Sequence, residues 1–166
     1  LGFETSDEVY ETFIAGGWDI TTTDGSSLVG RKAKQQPADQ EWVIFPATPI
    51  SKEPLGPTYG QNDSAWADAV NWTVYAMIIL DEYGITSANV DDHVGDEAEV
   101  GRLLGGEGEL QSGMGLAPDA FYQVIKQVGS YGEVYDRNLN PVGLYREGSA
   151  NAGWLDGGLI YSPPAR

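Results

Sequence analysis

The sequence predicts a folded α/β chain in which helices outnumber strands. Residues 18–23 and 41–45 are rich in β-branched and aromatic residues, the composition of strands. Apolar residues at helical spacing, framed by capping and stop signals, occupy much of the rest of the chain. With 166 residues, 41% of them hydrophobic, the chain is long enough to bury a core without disulfides or metal.

The charge of the chain excludes several classes of partner. It carries 25 acidic and 9 basic residues, a formal net charge of −16. Such a surface repels phosphate backbones and anionic lipids, so we expect no nucleic-acid or membrane-surface partner. The segment 53–101 contains acids but no Lys or Arg, which indicates a solvated acidic surface. The absence of cysteine removes thiol nucleophiles, zinc ribbons and disulfides.

The first predicted element is a helix over about residues 6–15. Thr5 lies three residues before Glu8, the spacing of a capping box at a helix start. Two consecutive glycines, Gly16 and Gly17, then end the helix. The order predicted for this region is therefore helix, glycine turn and strand.

Asp24 lies between the strand predicted at residues 18–23 and a second helix predicted from about residue 26 to 33. Its carboxylate could cap free N–H groups of that helix. It could equally project from the carboxyl end of the strand toward a ligand. Local sequence favours capping, because Asp at a helix start is common.

The next region predicts a buried strand followed by a crossover. Residues 41–45 are too apolar to suggest an exposed edge strand. Residues 46–57 cannot hold a helix and favour extended backbone, because they contain four prolines. A short strand is also predicted at residues 59–61.

Four helices are predicted in the remaining chain, over about residues 63–83, 96–104, 118–128 and 130–139. Glycines close the first three, among them the pair Gly105 and Gly106. Residues 148–166 predict an irregular tail. A stripe on the first of these helices is expected to pack in the core: Trp66, Val70, Thr73, Val74, Met77 and Ile78.

No catalytic or metal motif emerges from the residues themselves. His93 is the only histidine, and the acidic residues around it at 91–97 lack the ligand spacing of a calcium loop. We therefore interpret 91–97 as a solvated turn. Asp19 and Asp24 cannot act together as a hydrolase pair if both lie on one strand, because residues five apart point to opposite faces.

Five sequence words, spread over nearly the whole chain, are recognisable in their order. They lie at residues 15–24, 50–57, 72–90, 125–133 and 157–166, and the second reads Ile50-Ser51-Lys52-Glu53-Pro54-Leu55-Gly56-Pro57. The last contains Gly157-Gly158-Leu159-Ile160-Tyr161-Ser162-Pro163-Pro164. Together they resemble the general L-amino-acid solute-binding proteins of bacterial ABC transporters.

The resemblance implies a two-lobed periplasmic-binding-protein fold, of which this sequence matches the helix-rich C-terminal portion. It implies that residues 1–45 are a remnant of the second lobe, that 46–57 form the hinge, and that 58–166 are the C-terminal part of the first lobe with its tail. Because both lobes would be incomplete, we expect an intertwined homodimer to complete them. From the acidic opening of the sequence we expect no signal peptide within residues 1–166, although the resemblance implies a precursor that carries one.

For function, the resemblance implies an extracytoplasmic amino-acid receptor that works in the periplasm with membrane permease subunits, is not an enzyme and needs no cofactor. Asp24 matches the family's acidic residue that pairs with the ligand's α-ammonium. The family's carboxylate-binding Arg and its Ser-Gly-Thr-Thr-like turn have no match, so weak or no amino-acid binding is expected. Arg31, Arg102, Arg137 and Arg146 are interpreted as surface charges. The alternative is an acidic interaction or scaffold domain derived from the same fold.

Overall fold

The computed structural model describes residues 2–105 and 108–166. They divide into two compact units, which we call unit 1 and unit 2. Unit 1 runs to Leu55 and includes Val142–Leu144, and unit 2 comprises Gly56–Pro141 and Tyr145–Arg166. The α-helices are α1 (Ser6–Ile14), α2 (Gly25–Gln35), α3 (Ser64–Glu82), α4 (Ala98–Leu103), α5 (Leu110–Gly113), α6 (Ala120–Val128) and α7 (Tyr131–Leu139).

Short 3-10 turns and irregular segments join the helices. The 3-10 turns are Val90–His93, Asn140–Val142 and Trp154–Asp156. Among the described residues, no helix is long and apolar enough to cross a membrane.

The helix starts of unit 1 follow the sequence signals. The predicted capping box begins α1, where the Thr5 side chain accepts a hydrogen bond from the Glu8 amide and the Glu8 carboxylate accepts one from the Thr5 amide. Asp24 is the N-cap of α2. Both predicted helices of this unit are confirmed.

The predicted strands at residues 18–23, 41–45 and 59–61 are not formed. These segments are irregular and unpaired, and the described residues contain one isolated bridge, between Gly153 and Ile160. A strand needs a neighbour to satisfy its backbone N–H and C=O groups, and the described residues supply none here. The expectation of a buried strand at 41–45 is also wrong, because Val43 is 72% and Phe45 68% exposed.

The central element of unit 2 is α3, which confirms the long helix predicted there. The Asp63 side chain caps it by accepting a hydrogen bond from the Trp66 amide at 3.0 Å. Gly84, with a φ of +69°, follows its end. The bounds differ from the prediction by one residue at each end.

The face of α3 that enters the core differs partly from the predicted stripe. Trp66 is 57% exposed, whereas Ile78 is buried as expected. Ala76, Ile79 and Leu80 provide the buried contacts of the helix. The remaining core comes from later elements: Ile85, Val90, Val100, Leu103, Leu104, Phe121, Ile125 and Ala165.

The later helices of unit 2 are close to their predicted bounds. The capping box of α7 is formed as expected by Ser130 and Glu133. Gly129, with a φ of +103°, separates α6 from α7. The helix predicted over 96–104 is the shorter α4, and Gly106 of its predicted glycine stop lies outside the described residues.

The tail is irregular, as predicted, but its end is firmly docked in unit 2. Ala165 is 1% exposed and belongs to the core. Its N–H donates to the Glu99 carboxylate at 2.5 Å, and its C=O accepts two hydrogen bonds from the Arg102 guanidinium. Opposite charges on α4 therefore hold the backbone N–H and C=O of a single residue of the tail.

Candidate functional site

Asp24, the predicted binding residue, lies where extended backbone meets α2. Its own backbone is extended, with φ −61° and ψ 149°, and the helix begins at the next residue. This is the geometry of an N-cap, in which the side chain turns back onto the first helical turn. The structure therefore confirms the capping role of Asp24.

Three local groups hold the carboxylate of Asp24. Its Oδ2 accepts hydrogen bonds from the Ser26 hydroxyl at 2.6 Å and the Ser27 amide at 2.9 Å. Its Oδ1 accepts one from the Thr23 hydroxyl at 3.0 Å. A carboxylate has about four acceptor positions, so one remains for a further donor. The side chain is thus both fixed in orientation and able to accept one more bond.

The same contacts favour the ionised form of the side chain. The Ser26 hydroxyl, followed by the Ser27 amide, lowers the pKa of Asp24 below its ordinary value. Hydrogen bonds of this kind stabilise a carboxylate relative to its protonated form. Asp24 therefore presents a negative charge near neutral pH, as recognition of an ammonium group requires.

Asp19 is exposed and lies in irregular backbone, not on a strand. The strand geometry used to separate Asp19 from Asp24 is therefore not observed. The Asp24 carboxylate instead accepts hydrogen bonds from the first turn of α2.

Two of the arginines match the expected surface role to different degrees. Arg137 is exposed and donates to the Val128 carbonyl. Arg31 is half-buried; it pairs with Asp7 at 2.6 Å and lies over the ring of Tyr10, 4.8 Å from its centroid.

Arg146 is incorrectly predicted as a surface charge. Its guanidinium pairs with Asp81 at 2.8 Å, and only 17% of its side chain is exposed. Asp81 also accepts hydrogen bonds from the Ser130 hydroxyl and the Gly132 amide, both at 3.0 Å. A carboxylate at the end of α3 is thereby joined to the first turn of α7. The residues of this network are too distant in sequence for any local pattern to indicate it.

Arg102 is half-buried against the tail that it binds, so it too is more than a surface charge.

The turn around His93 is solvated, as predicted. The Nδ1 atom of His93 lies 2.8 Å from Asp96 Oδ2, and both side chains are substantially exposed. Within the described residues, no group of three His, Cys, Asp or Glu side chains could hold a metal ion.

The comparisons with known proteins bear on nearly the whole chain. No protein-family model matches it. It is 42% identical, over 99% of its length, to the general L-amino acid-binding periplasmic protein AapJ of Rhizobium johnstonii. It is 41% identical, over 96% of its length, to the glutamate/glutamine/aspartate/asparagine-binding protein BztA of Rhodobacter capsulatus. It is 38% identical, over 99% of its length, to the putative amino-acid ABC transporter-binding protein YhdW of Escherichia coli K12.

A solved structure decides the relationship. A periplasmic binding protein of an ABC transporter from Brucella ovis, with glutathione bound, matches 99% of this chain with a TM-score of 0.87 and 42% identity. The chain is a relative of the periplasmic solute-binding proteins of ABC transporters. The resemblance found in the sequence words is confirmed.

These solute-binding relatives are longer than the chain. The chain spans 49% of AapJ, 47% of BztA and 52% of the Brucella ovis structure. This confirms the expected fold class, a helix-rich portion of a periplasmic binding protein. AapJ and the Brucella ovis protein are both named as periplasmic, which agrees with the predicted location.

Proposed function

We propose that the chain is part of the amino-acid-binding receptor of an ABC transporter, which captures its solute in the periplasm and delivers it to membrane permease subunits. The observation that carries this proposal is the 42% identity to AapJ over 99% of the chain. A receptor of this kind binds and releases its solute unchanged. The chain is accordingly proposed not to be an enzyme and to need no cofactor.

Within this receptor, residues 1–45 belong to one lobe, 46–57 to the hinge and 58–166 to the other lobe. The division of the chain into units at Leu55 and Gly56, inside the proposed hinge, supports a crossover there. Its proline content supports extended backbone.

Asp24 is proposed as the partner of the ligand's α-ammonium group. Support comes from its fixed orientation, its lowered pKa and its remaining acceptor position. A charge-assisted hydrogen bond to an ammonium needs an acceptor of this kind. The N-cap role and the ligand role are compatible, because capping uses Oδ2 and leaves capacity on Oδ1.

The chain alone should bind amino acids weakly or not at all, because it spans about half of its relatives. A charged ligand group left without its hydrogen-bond partner costs about 1–3 kcal/mol. Isothermal titration calorimetry of the chain with a panel of L-amino acids tests this. Micromolar binding by the chain alone would contradict it.

A chimera tests the role of Asp24 directly. In it, the matched segment of AapJ is replaced by this chain, and we expect the chimera to bind L-amino acids. Asp24→Asn should weaken that binding at least tenfold, since it removes the charge while Asn remains a good N-cap. Asp39→Asn is the matched control, because Asp39 is an exposed acid of the same unit. Equal effects of the two substitutions would rule out a specific role for Asp24.

The chain is also proposed to form a homodimer. Unit 1 exposes apolar side chains along the irregular segment that precedes Gly56, with Phe45 at 68%, Ile50 at 84% and Leu55 at 75% exposed. A second copy could cover them and pair the free backbone edges. Multi-angle light scattering should give twice the chain mass, and a monomer at every concentration would count against the dimer.

A further inference from the structure

The sequence contains two Asp-Gly pairs, Asp24-Gly25 in unit 1 and Asp156-Gly157 in unit 2. A glycine leaves its amide nitrogen unhindered, because it has no side chain. That nitrogen can attack the Cγ of the preceding aspartate and close a five-membered succinimide ring. Whether the ring closes depends on whether the surrounding fold lets the carboxyl group and the nitrogen meet.

The fold opposes ring closure at Asp24. The carboxylate is held by the Thr23 and Ser26 hydroxyls and by the Ser27 amide, so it cannot turn to Gly25 without losing these bonds. Ring closure requires the protonated carboxyl, because water must leave, and the lowered pKa of Asp24 reduces the amount of that form. Gly25 is also the first residue of α2. The cap and the first helical turn would both have to open before the ring forms.

Asp156 has none of this protection. It ends the 3-10 turn Trp154–Asp156, and both Asp156 and Gly157 are exposed. No donor among residues 2–105 and 108–166 bonds to the Asp156 carboxylate, so the side chain can reorient. The Gly157 amide donates one backbone hydrogen bond, to the Trp154 carbonyl at 3.2 Å. A single exposed bond of this kind opens at low cost, and the nitrogen is then free to attack.

We propose that Asp156 is a site of spontaneous isomerisation to isoaspartate. The Gly157 nitrogen forms a bond to Asp156 Cγ and gives up its proton, and a carboxyl oxygen leaves as water. Water then adds to one of the two carbonyl carbons of the succinimide and breaks its bond to the nitrogen. Attack at Cγ restores aspartate, whereas attack at the main-chain carbonyl carbon gives isoaspartate. One water leaves and one is added, so the step needs no co-reactant.

Isoaspartate adds one methylene to the main chain where the tail has no room for it. The amides of Gly158 and Ile160 donate to the carbonyls of Gly153 at 3.0 Å and Ala152 at 3.2 Å, which closes the loop around Asp156. An added Cβ at Gly158 would overlap the Ala152 backbone, so the two sides of the loop are already in contact. The modified loop should lose these bonds, and amide exchange of Gly158 and Ile160 should become faster.

Incubation of the folded chain at neutral pH and physiological temperature, followed by tryptic peptide mapping, tests the proposal. Trypsin releases residues 147–166 as a peptide in which Asp156 is the only aspartate. Electron-transfer fragmentation distinguishes isoaspartate from aspartate, which has the same mass. Isoaspartate should accumulate at Asp156 about tenfold faster than at Asp24, the scale of one helix cap. Equal rates at the two positions would overturn the proposal.

Incubation in urea separates the effect of the fold from that of the neighbouring sequence. Urea removes both the cap of Asp24 and the turn at Asp156, so the two rates should become similar. A difference that persisted in urea would come from the neighbouring residues, and the structural argument would be wrong.

Two variants test the route through the ring. Asp156→Glu should form no isomer at this position, because its ring would have six members and closes slowly. Asp156→Asn should react faster than the unsubstituted chain, since ammonia leaves in place of water. An unmodified residue 156 in Asp156→Asn would show that the turn keeps the Gly157 nitrogen away from the side chain, and it would overturn the site.

Discussion

Unit 2 packs its helices around a buried core, whereas unit 1 has almost none. Leu80, Phe121 and Ile125 of unit 2 are at most 1% exposed. In unit 1, Tyr10 is the buried residue among those described, and even its hydroxyl lacks a hydrogen-bond partner. Since burial of apolar surface is the main favourable contribution to folding, unit 2 should be far more stable than unit 1.

The polar contacts of the two units differ in the same direction. In unit 2, Asp81 and Glu133 join segments 46 or more residues apart through half-buried hydrogen bonds. In unit 1, the bonds of Asp24 stay within three residues. The bonds from Arg31 to Asp7 and from Gln40 to the Ile14 carbonyl span 24 and 26 residues, but both are exposed. Exposed polar contacts contribute less to stability than half-buried ones, so they do not compensate for the small core of unit 1.

The largest expected effect comes from truncating the core of unit 2. Leu80 is fully buried, so Leu80→Ala should lower the free energy of unfolding by about 2–5 kcal/mol. Val43→Ala in unit 1 should change it by less than about 0.5 kcal/mol, since that side chain is 72% exposed. Urea denaturation followed by far-UV circular dichroism measures both. Similar losses would mean that unit 1 has a stabilising contact at Val43.

The sequence predicts most of the helices because their start and stop signals are local. The capping boxes at Thr5 and Ser130, and the N-cap at Asp24, each involve side chains within three residues of the backbone that they bind. Such contacts form in any context that allows the helix. The capping role of Asp24 can therefore be predicted from the neighbouring residues in the sequence alone.

Strand formation and buried polar networks depend on residues that are distant in sequence. Local sequence patterns therefore predict neither of them well. Residues 18–23 and 41–45 have strand composition, but composition supplies no pairing neighbour. The burial of Arg146 depends on Asp81, which is 65 residues away. The proposed ligand role of Asp24 rests on family resemblance, because the local sequence around Asp24 indicates only the N-cap.

Substitution of a glycine inside a helix of each unit should have an intermediate effect on the free energy of unfolding. At Gly132 in α7, an added Cβ would overlap the Arg146 guanidinium and the Asp81 carboxylate. Gly132→Ala should therefore destabilise unit 2 by about 1–3 kcal/mol. Gly30→Ala in α2 meets open space and should stabilise its helix by about 0.5–1 kcal/mol.

Amide hydrogen exchange distinguishes these two glycine effects, because it reports each helix separately. Protection should fall across α7 and the end of α3 in Gly132→Ala, and it should rise within α2 in Gly30→Ala. Unchanged protection of α7 would show that the Asp81 network adapts to a methyl group. The greater stability of unit 2 would then be explained by its apolar core alone.

The smallest expected effect is a difference in acid sensitivity. Burial acts to raise the pKa of Glu133, but hydrogen bonds from Ser87 and Ser130 outweigh it and hold that pKa below its ordinary value. The pKa of Asp24 is also lowered. A carboxylate with a depressed folded-state pKa stabilises the fold above its unfolded pKa, about 4.3 for Glu and 3.9 for Asp, and this stability is lost as the pH falls through the folded value.

Glu133→Gln should therefore lower the urea midpoint of unit 2 at neutral pH, and its difference from the unsubstituted chain should shrink as the pH falls below about 4.3. Glu133 joins α7 to Ser87, 46 residues away, so its loss affects the whole unit. Asp24→Asn removes a charge that acts within one helical turn, and it should leave the midpoint of unit 2 unchanged at every pH while altering exchange of the Ser27 amide. A pH-independent deficit in Glu133→Gln would mean that packing, and not the carboxylate charge, links α7 to unit 2.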